Sequence, residues 1–457
     1  MKKKVTAIFD IGRTNKKFFL FDAAFQEVYR EYAHFDEIAD EDGYPTENIR
    51  ALEEWTKEVF YRMLALPDYD IVSLNFSCYG ASMVHIDGSG QVLTPLYNYM
   101  KPLAAKVSDS FYAEYGPESE ISRITGSPKL GMLNTGMQLY WLKKTKPETF
   151  KKITYALHLP QYLSYLFTGF PVSEYTSIGC HTLLWDYEKK AYHDWVQQEK
   201  IDRVLPPVVP TNTTFDIVIN GKSIKIGIGI HDSSSALVPY VRSQSKPFVL
   251  VSTGTWSISI NPFTQEPLSK EDIGRGSLYN MQVNGSPAKA SRLFLGNEHQ
   301  LQVKVLSAHF NVPETYHRSV KFDPTVFFEL QKDFQPMFKW KSIANAYPIP
   351  KTRIPFDTFE HAYHQLVYEL VLLQLKSIEA VIGDEPIDRL FVDGGFSDNE
   401  LYMQLLAHFF DPLKIQTTNA AIGSALGAAI VISPSKLNPD FLEKNYALKE
   451  LSVLKTN

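Results

Sequence analysis

One pattern occurs twice in this chain. An apolar strand segment, a short turn of glycine and hydroxyl residues, and a second apolar strand segment open the sequence as VTAIF, DIGRTNK and KFFLFD, and the same order returns as FVLVSTGTWSISI from Phe248. A chain that begins twice in this way is built from two similarly started halves. Its 457 residues agree, because one hydrophobic core seldom grows past about 250–300 residues. The polar stretch Ser243–Lys246 places the boundary, giving expected domains 1–243 and 244–457 with a cleft between them. With 44% hydrophobic and 21% charged positions, a folded body is expected rather than a disordered one.

Between the strand segments the period changes. Ile49, Leu52, Trp55, Val59 and Met63 recur at steps of three and four, which predicts a helix after Pro45, with Thr46 as its N-cap. DIVSLNFS reads as a buried strand and Val84–Leu93 as a hairpin turning at Asp87-Gly88. QLYWLKKTKPETFKK, LPQYLSYLFTG and Phe359–Gly383 read as helices. DRLFVDGG reads as a strand followed by the helix FSDNELYMQLLAHFF. In AIGSALGAAIVI, Gly423 and Gly427 stand four apart and allow a close approach of a helix or a ligand. Strands alternate with helices, so the fold class is α/β.

Composition excludes several roles. There are 46 Lys+Arg against 51 Asp+Glu, a formal charge of −5, and no basic block beyond Lys2–Lys4, so nucleic acid is not an expected partner. Cys78 and Cys180 lack the pairing of a disulfide framework or a zinc site and read as small buried residues. The basic start resembles a signal peptide, but Asp10 interrupts the apolar run, and no apolar stretch approaches the ~18–20 residues that span a bilayer. A cytoplasmic protein without membrane contact is expected. The 13% aromatic content leaves room for exposed patches through which the chain could pair as a homodimer.

Four segments carry chemistry. DIGRTNKK, Asp10–Lys17, is a bend between strands whose backbone N–H groups and hydroxyl can cradle phosphate oxygens; its carboxylate makes sense beside polyphosphate if Mg²⁺ lies between. The alternative is a plain hairpin capped by Asp10 and Thr14. STGTWS, Ser252–Ser257, offers the same cradle without a carboxylate, or an ordinary turn. VDGGFSDN lies at a strand-to-helix junction, where Gly394 and Gly395 let the backbone lie flat against a ligand; it also reads as a turn with Ser397 as N-cap. In GIHDSSSAL, Asp232 at a strand end is a candidate general base for an alcohol, or a helix cap, and His231 is an orienting neighbour or a core group.

In this order the four segments, with GSALGAA after the last, resemble the FGGY carbohydrate kinases of the actin/hexokinase/Hsp70-like ATPase superfamily. YWLKKTKPETFKKI and LPQYLSYLFTG are similar to further segments of that family, so the likeness covers nearly the whole chain. HDSSSA and STGTWS are most similar to rhamnulokinases, and the Gly12, Thr14, Asn15 turn to L-fuculokinases. The resemblance implies two ribonuclease-H-like domains and transfer of the ATP γ-phosphoryl group to a sugar hydroxyl. It implies that Asp10 holds Mg²⁺ through water, and that Gly12, Thr14, Asn15 and Lys17 form one phosphate loop. Thr253, Gly254 and Thr255 would form the other, Gly394, Gly395 and Ser397 the adenosine pocket, and Asp232 the base. Tyr79, Ser82, Gln138 and His231 are the candidate residues on the sugar side.

Two departures bear on specificity. Arg13 stands where the family has a small residue, and LYNYMKP (Leu96–Pro102) stands where many members carry Trp-Asn-Asp-x-Arg, so Tyr99 replaces a sugar-contacting Asp. More aromatic surface and fewer carboxylates suit a 6-deoxyketose such as L-rhamnulose or L-fuculose. The alternatives are a xylulose- or glycerol-type kinase, or a nucleotide-binding sensor of the same fold without transfer activity.

Overall fold

The structure, a computed structural model, describes residues 2–264, 266–343, 351–383, 386–418, 422–434 and 436–451. The chain divides into two compact units. The first comprises Met1–Ser243, Gln265–Ala288 and Ile422–Asn438, and the second Gln244–Thr264, Lys289–Ala421 and Pro439–Asn457.

The first unit is organised on a mixed sheet. Strands β1 (Lys3–Ile11), β2 (Lys16–Asp22) and β3 (Glu27–Ala33) form an antiparallel meander. After helix α1 (Ile49–Ala65), strand β4 (Tyr69–Cys78) returns parallel to β1, so Asp10 pairs with Ser77 and Ile11 with Cys78. Helices α2 (Thr135–Thr145) and α3 (Leu159–Thr168) follow, the latter stopped by Gly169 at φ 70°. Strands β5 (Thr214–Ile219) and β6 (Lys222–Gly227) complete the order β5-β6-β4-β1-β2-β3. The two-residue strand β7 (Ile230–His231) runs beside the end of β4 and leads into helix α4 (Asp232–Ser243). From Ala7 to Ile11 every residue of β1 is buried, as expected for a strand covered on both faces. Phe9 stacks on Phe76 at 5.8 Å and meets Trp55 edge-on at 5.2 Å.

Two local expectations differ. The N-cap of α1 is Asn48, whose side chain accepts from the Ala51 amide, whereas Thr46 sits in a short strand and donates its hydroxyl to the Leu96 carbonyl. The Asp87 turn closes with Asp87 N–H to the Gln91 carbonyl at 3.0 Å, but only one bridge, Ile86 to Val92, joins its arms. Met83–Ile86 instead pairs with Tyr155–His158. Pro95, close behind the returning arm, has no N–H with which to extend that arm's ladder.

The helix Gly423–Val431 also belongs to the first unit; residue 421, the first of the AIGSALGAAIVI segment, lies outside the described residues. A Cβ on Gly427 would stand 1.8 Å from the Ser235 carbonyl oxygen, so only glycine allows this helix to lie so close to α4. Asn75 holds the same assembly, donating to the Ala428 carbonyl at 2.8 Å and accepting from the Gly229 amide at 3.0 Å.

The second unit repeats the scheme. Strands β8 (Phe248–Thr253), β9 (Ser257–Asn261) and β10 (Pro287–Leu293) are antiparallel. Helices α5 (Leu295–Phe310) and α6 (Phe359–Glu379) precede strand β11 (Arg389–Gly394), which is parallel to β8; helix α7 (Glu400–Phe410) and parallel strand β12 (Lys414–Thr418) follow. The order β10-β9-β8-β11-β12 matches β3-β2-β1-β4-β6. Helix α6 is buried along most of its length among Val249, Leu295, Leu306, Leu390 and Leu401. Among the described residues no helix is long and apolar enough to cross a membrane.

Candidate active site

In the first unit the parallel strand ends bring two carboxylates together. The register Asp10 to Ser77 and Cys78 to His231 puts the ends of β1, β4 and β7 side by side, and Asp232 begins α4 at that edge. Ligands of α/β sheets bind beyond such carboxyl ends. Asp10 is buried at 5% exposure, accepts 2.8 Å from the Ser424 hydroxyl and lies 3.5 Å from the Lys17 ammonium. Burial is the largest influence and raises its pKa above the usual carboxylate value; Lys17 and Ser424 oppose that, and the charge of Asp232 adds to it.

Asp232 is 31% exposed, and its Oδ1 accepts 2.6 Å from the Ser233 amide. His231 Nε2 lies 3.2 Å from the same oxygen. The imidazole itself is buried, with Cys180 Sγ 3.3 Å from Nε2.

The Asp10–Lys17 turn is closed by the Gly12 amide donating 2.9 Å to the Asn15 carbonyl, leaving Thr14 and Asn15 exposed and Lys17 beside Asp10. Arg13 pairs with Glu37, and Lys16 with Glu47 in a fully buried ion pair. Both cations line a cavity of about 470 Å³ together with Thr14, Glu37 and Glu47. Tyr79 donates to Glu47 and contacts Tyr99 edge-on at 6.2 Å. Burial pushes the Tyr99 phenol up, with Asp232 and Glu47 adding to the shift and Arg13 opposing it, so these groups share one neighbourhood.

Ser82 is buried and shares a hydrogen bond with Tyr79. Gln138 on α2 is buried and donates 2.8 Å to the carbonyl of Ala81, whose φ is 60°, so it props the 79–82 loop. Glu47 and Ser424 were not legible as partners of these residues. They come from distant segments, after β3 and near the end of the chain.

In the second unit the corresponding turn is closed by the Gly254 amide donating 2.8 Å to the Trp256 carbonyl, with Gly254 and Thr255 exposed. Thr253 is buried; its hydroxyl donates to the Asp393 carbonyl and accepts 3.0 Å from the Phe396 amide, tying this turn to the glycine loop. Gly394, at φ 82°, would place a Cβ 1.7 Å from the Thr253 carbonyl oxygen. Ser397 donates 2.7 Å to the Gly394 carbonyl, and the N-cap of α7 is Asn399, not Ser397.

Beside this loop lies a cavity of about 720 Å³ whose lining includes Gly254, Thr255, Gly296, His299, Gly395 and Phe396. A Cβ on Gly296 would stand 2.0 Å from the Gly254 carbonyl oxygen. The His299 ring lies 5.1 Å from Phe396 and accepts from the Tyr363 hydroxyl at 3.0 Å, which in turn accepts 2.8 Å from Asn399. Burial, with His317 adding, lowers the His299 pKa to about 3, so the ring is neutral. No motif pointed to His299, which sits one helical turn inside α5.

The cavity, lined by Gly254, Gly296 and Gly395 and by the His299 and Phe396 rings set edge to face, has room for a nucleoside. No group of three or more His, Cys, Asp or Glu residues that could hold a metal occurs among the described residues. A lone carboxylate such as Asp10 could reach a Mg²⁺ only as one ligand among waters and phosphate oxygens.

The model of the FGGY family of carbohydrate kinases matches with its N-terminal domain at residues 5–238 and its C-terminal domain at 362–433. A rhamnulokinase of Pectobacterium atrosepticum is 31% identical over 193 residues, 41% of this chain and 38% of that protein. One of Oceanobacillus iheyensis is 25% identical over 198 residues, 42% of this chain and 41% of that protein. The match thus spans about two fifths of the length of these relatives. In fold the chain is similar to a carbohydrate kinase from Novosphingobium aromaticivorans, at TM-score 0.82 and 22% identity over 100% of this chain and 95% of that one. It is also similar to a xylulose kinase from Lactobacillus acidophilus, at TM-score 0.76 and 16% identity over 97% and 90%. With its two α/β halves and the strand-end carboxylates that its motifs place, the chain belongs to the FGGY family of carbohydrate kinases.

Proposed function

We propose that the chain transfers the γ-phosphoryl group of ATP to a hydroxyl of a small ketose, a 6-deoxyketose such as L-rhamnulose or L-fuculose. The observation that carries this reading is Asp232: a half-exposed carboxylate at a parallel strand end, one oxygen tied down, with a second carboxylate, Asp10, in its field. The sugar is supported by the curated relatives named rhamnulokinase and by the aromatic pair Tyr79 and Tyr99.

In this reading the acceptor hydroxyl attacks the γ-phosphorus, the bond from that phosphorus to the ADP oxygen breaks, and the hydroxyl proton passes to Asp232. Residues 1–243 supply the sugar side, the first phosphate loop (Gly12, Thr14, Asn15, Lys17) and the base. Residues 244–457 supply the second loop (Thr253, Gly254, Thr255) and the adenosine pocket (Gly394, Gly395, Ser397). Thr253 acts there through the backbone, since its hydroxyl is taken at both ends. Asp10 holds Mg²⁺, which when bound neutralises phosphate charge. Tyr79, Tyr99, Arg13 and Glu47 grip the sugar, with Ser82 and Gln138 shaping the loop behind Tyr79.

The test is incubation with ATP, Mg²⁺ and a panel of ketoses, aldonates and glycerol, reading acceptor-dependent ADP release. Release with L-rhamnulose or L-fuculose above xylulose and glycerol supports the reading. Nucleotide binding without acceptor-dependent release overturns it in favour of a sensor.

A further inference from the structure

We infer that His299 reads the nucleoside: a network through Tyr363 and Asn399 fixes its imidazole as a hydrogen-bond donor at Nδ1, and an acceptor atom of the bound nucleoside takes that bond. This rests on the cavity beside the glycine loop being the nucleoside site, as proposed above. The network is directed at every link. Asn399, the N-cap of α7, accepts 3.1 Å from the Tyr402 amide through Oδ1, which settles the orientation of its side-chain amide and leaves Nδ2 as the donor. That nitrogen donates 2.8 Å to the Tyr363 hydroxyl oxygen. Tyr363 is buried on α6, and burial raises its pKa, so the phenol keeps its proton. Among the described residues that proton has one acceptor, His299 Nε2 at 3.0 Å.

With Nε2 accepting, a neutral imidazole carries its hydrogen on Nδ1. The ring is neutral because burial, with His317 adding, lowers its pKa to about 3. Its plane is set as well, since the rings of Phe396, His317 and Tyr363 meet it edge to face at 5.1, 5.2 and 5.8 Å. Nδ1 makes no hydrogen bond with any described residue, yet it is no sealed orphan, for the ring lines the cavity of about 720 Å³. Tyr363 holds Nε2 toward the core, so Nδ1 is the polar atom that this ring offers to the cavity. Along α5, His299 stands three residues beyond Gly296, which abuts the Gly254 carbonyl of the second loop. Three residues of helix rise by about 4.5 Å, which carries His299 past the phosphate end and beside the nucleoside. What a single fixed N–H recognises there is a lone pair, on a ring nitrogen of the base or a hydroxyl oxygen of the ribose.

The experiment titrates the full-length wild type, H299F, H299N and the double variant H299F/Y363F by calorimetry with ADP and with its 1-deaza, 3-deaza, 7-deaza, 2′-deoxy and 3′-deoxy analogues. H299F keeps a flat ring but has no donor, and its ADP affinity is expected to fall about tenfold. H299N sets an amide N–H where Nδ1 stood and stays within about threefold of the wild type, an order that packing alone would reverse. One analogue binds the wild type about tenfold more weakly than ADP does and loses nothing further in H299F; a deaza analogue identifies the ring nitrogen, a deoxy analogue the ribose oxygen. Nitrogen NMR of the histidine-labelled wild type, with His299 assigned by its absence from H299F, shows the Nδ1–H tautomer at pH 7. Where H299F does not fold, as judged by its melting transition, H299F/Y363F takes its place, because it leaves no orphaned hydroxyl. Wild-type ADP affinity in whichever of the two folds, binding by H299F as tight as by H299N, no analogue whose loss vanishes with the donor, or an Nε2–H tautomer overturns the inference and leaves the nucleoside site standing. A wild type that binds no ADP, or a G296A chain that binds it as the wild type does, overturns the cavity reading and this inference together.

Discussion

The Ser424 hydroxyl donates 2.8 Å to Asp10 Oδ1, joining two residues 414 positions apart. That contact and Lys17 offset only part of what burial does to Asp10, whose pKa ends above the usual carboxylate value. A carboxyl group so raised contributes stability when protonated, and loses it as the pH climbs through the raised value. D10N should therefore melt higher than the wild type, by more at pH 8 than at pH 4, as read by calorimetry. Its turnover should fall by at least about tenfold and need more Mg²⁺, because a metal ligand is gone. A D10N chain less stable than the wild type at pH 8 would contradict this account of the site.

Asp232 gives a separate expectation. D232N keeps the shape and the Oδ1 contacts but cannot take a proton, so kcat should drop by about 10²–10⁴-fold with ADP affinity unchanged. Turnover near that of the wild type would remove Asp232 from the proposed role.

What was legible in the sequence is what neighbours in sequence decide. The turns at 12–15 and 254–256, the strand end at His231-Asp232 and the close approach of Gly427 all follow from a few adjacent residues, and the structure contains them. The repeated order of antiparallel and parallel strands in the two units follows from the repeated opening pattern. The caps lie two residues beyond those expected at both Thr46 and Ser397, because Asn48 and Asn399 compete with chemistry as good and sit two residues nearer the apolar run. The pairing of Lys16 with Glu47 was not legible, since charges on separate segments give no sign of which partners meet. The expectation of a carboxylate-poor sugar side omitted Glu47 for the same reason. The side chains of Lys16 and Glu47 are each 4% exposed, and removing either alone would strand a buried charge.

The glycine at 296 should resist enlargement. In G296A the new methyl would overlap the Gly254 carbonyl, 2.0 Å away, so the 254–256 turn must shift. ADP affinity is expected to weaken by about tenfold or more, measured by titration calorimetry, with a smaller effect on sugar affinity. Wild-type ADP affinity in G296A would show that the 720 Å³ cavity is not the nucleoside site.

Glu369 predicts a pH-dependent stability unrelated to catalysis. It lies buried on α6, accepts from the Met337 and Phe338 amides and from Gln365, and burial raises its pKa from 4.5 to about 7. The folded chain binds the extra proton, so this group's contribution is fully present below pH 4.5 and fades as the pH rises to about 7. Relative to E369Q, the wild type should lose on the order of 3 kcal/mol between pH 4 and pH 8 in urea unfolding. A pH-independent difference between the two chains would refute the assignment.

The helix Gly423–Val431 takes its place in the first unit beside Asn75, Ser235 and Asp10. During translation, most of that unit leaves the ribosome long before this helix is made. The nascent chain must wait through the synthesis of nearly all the second unit with the Asn75 and Asp10 side chains lacking their late partners, so the proposed catalyst would mature only once residues 423–431 have emerged.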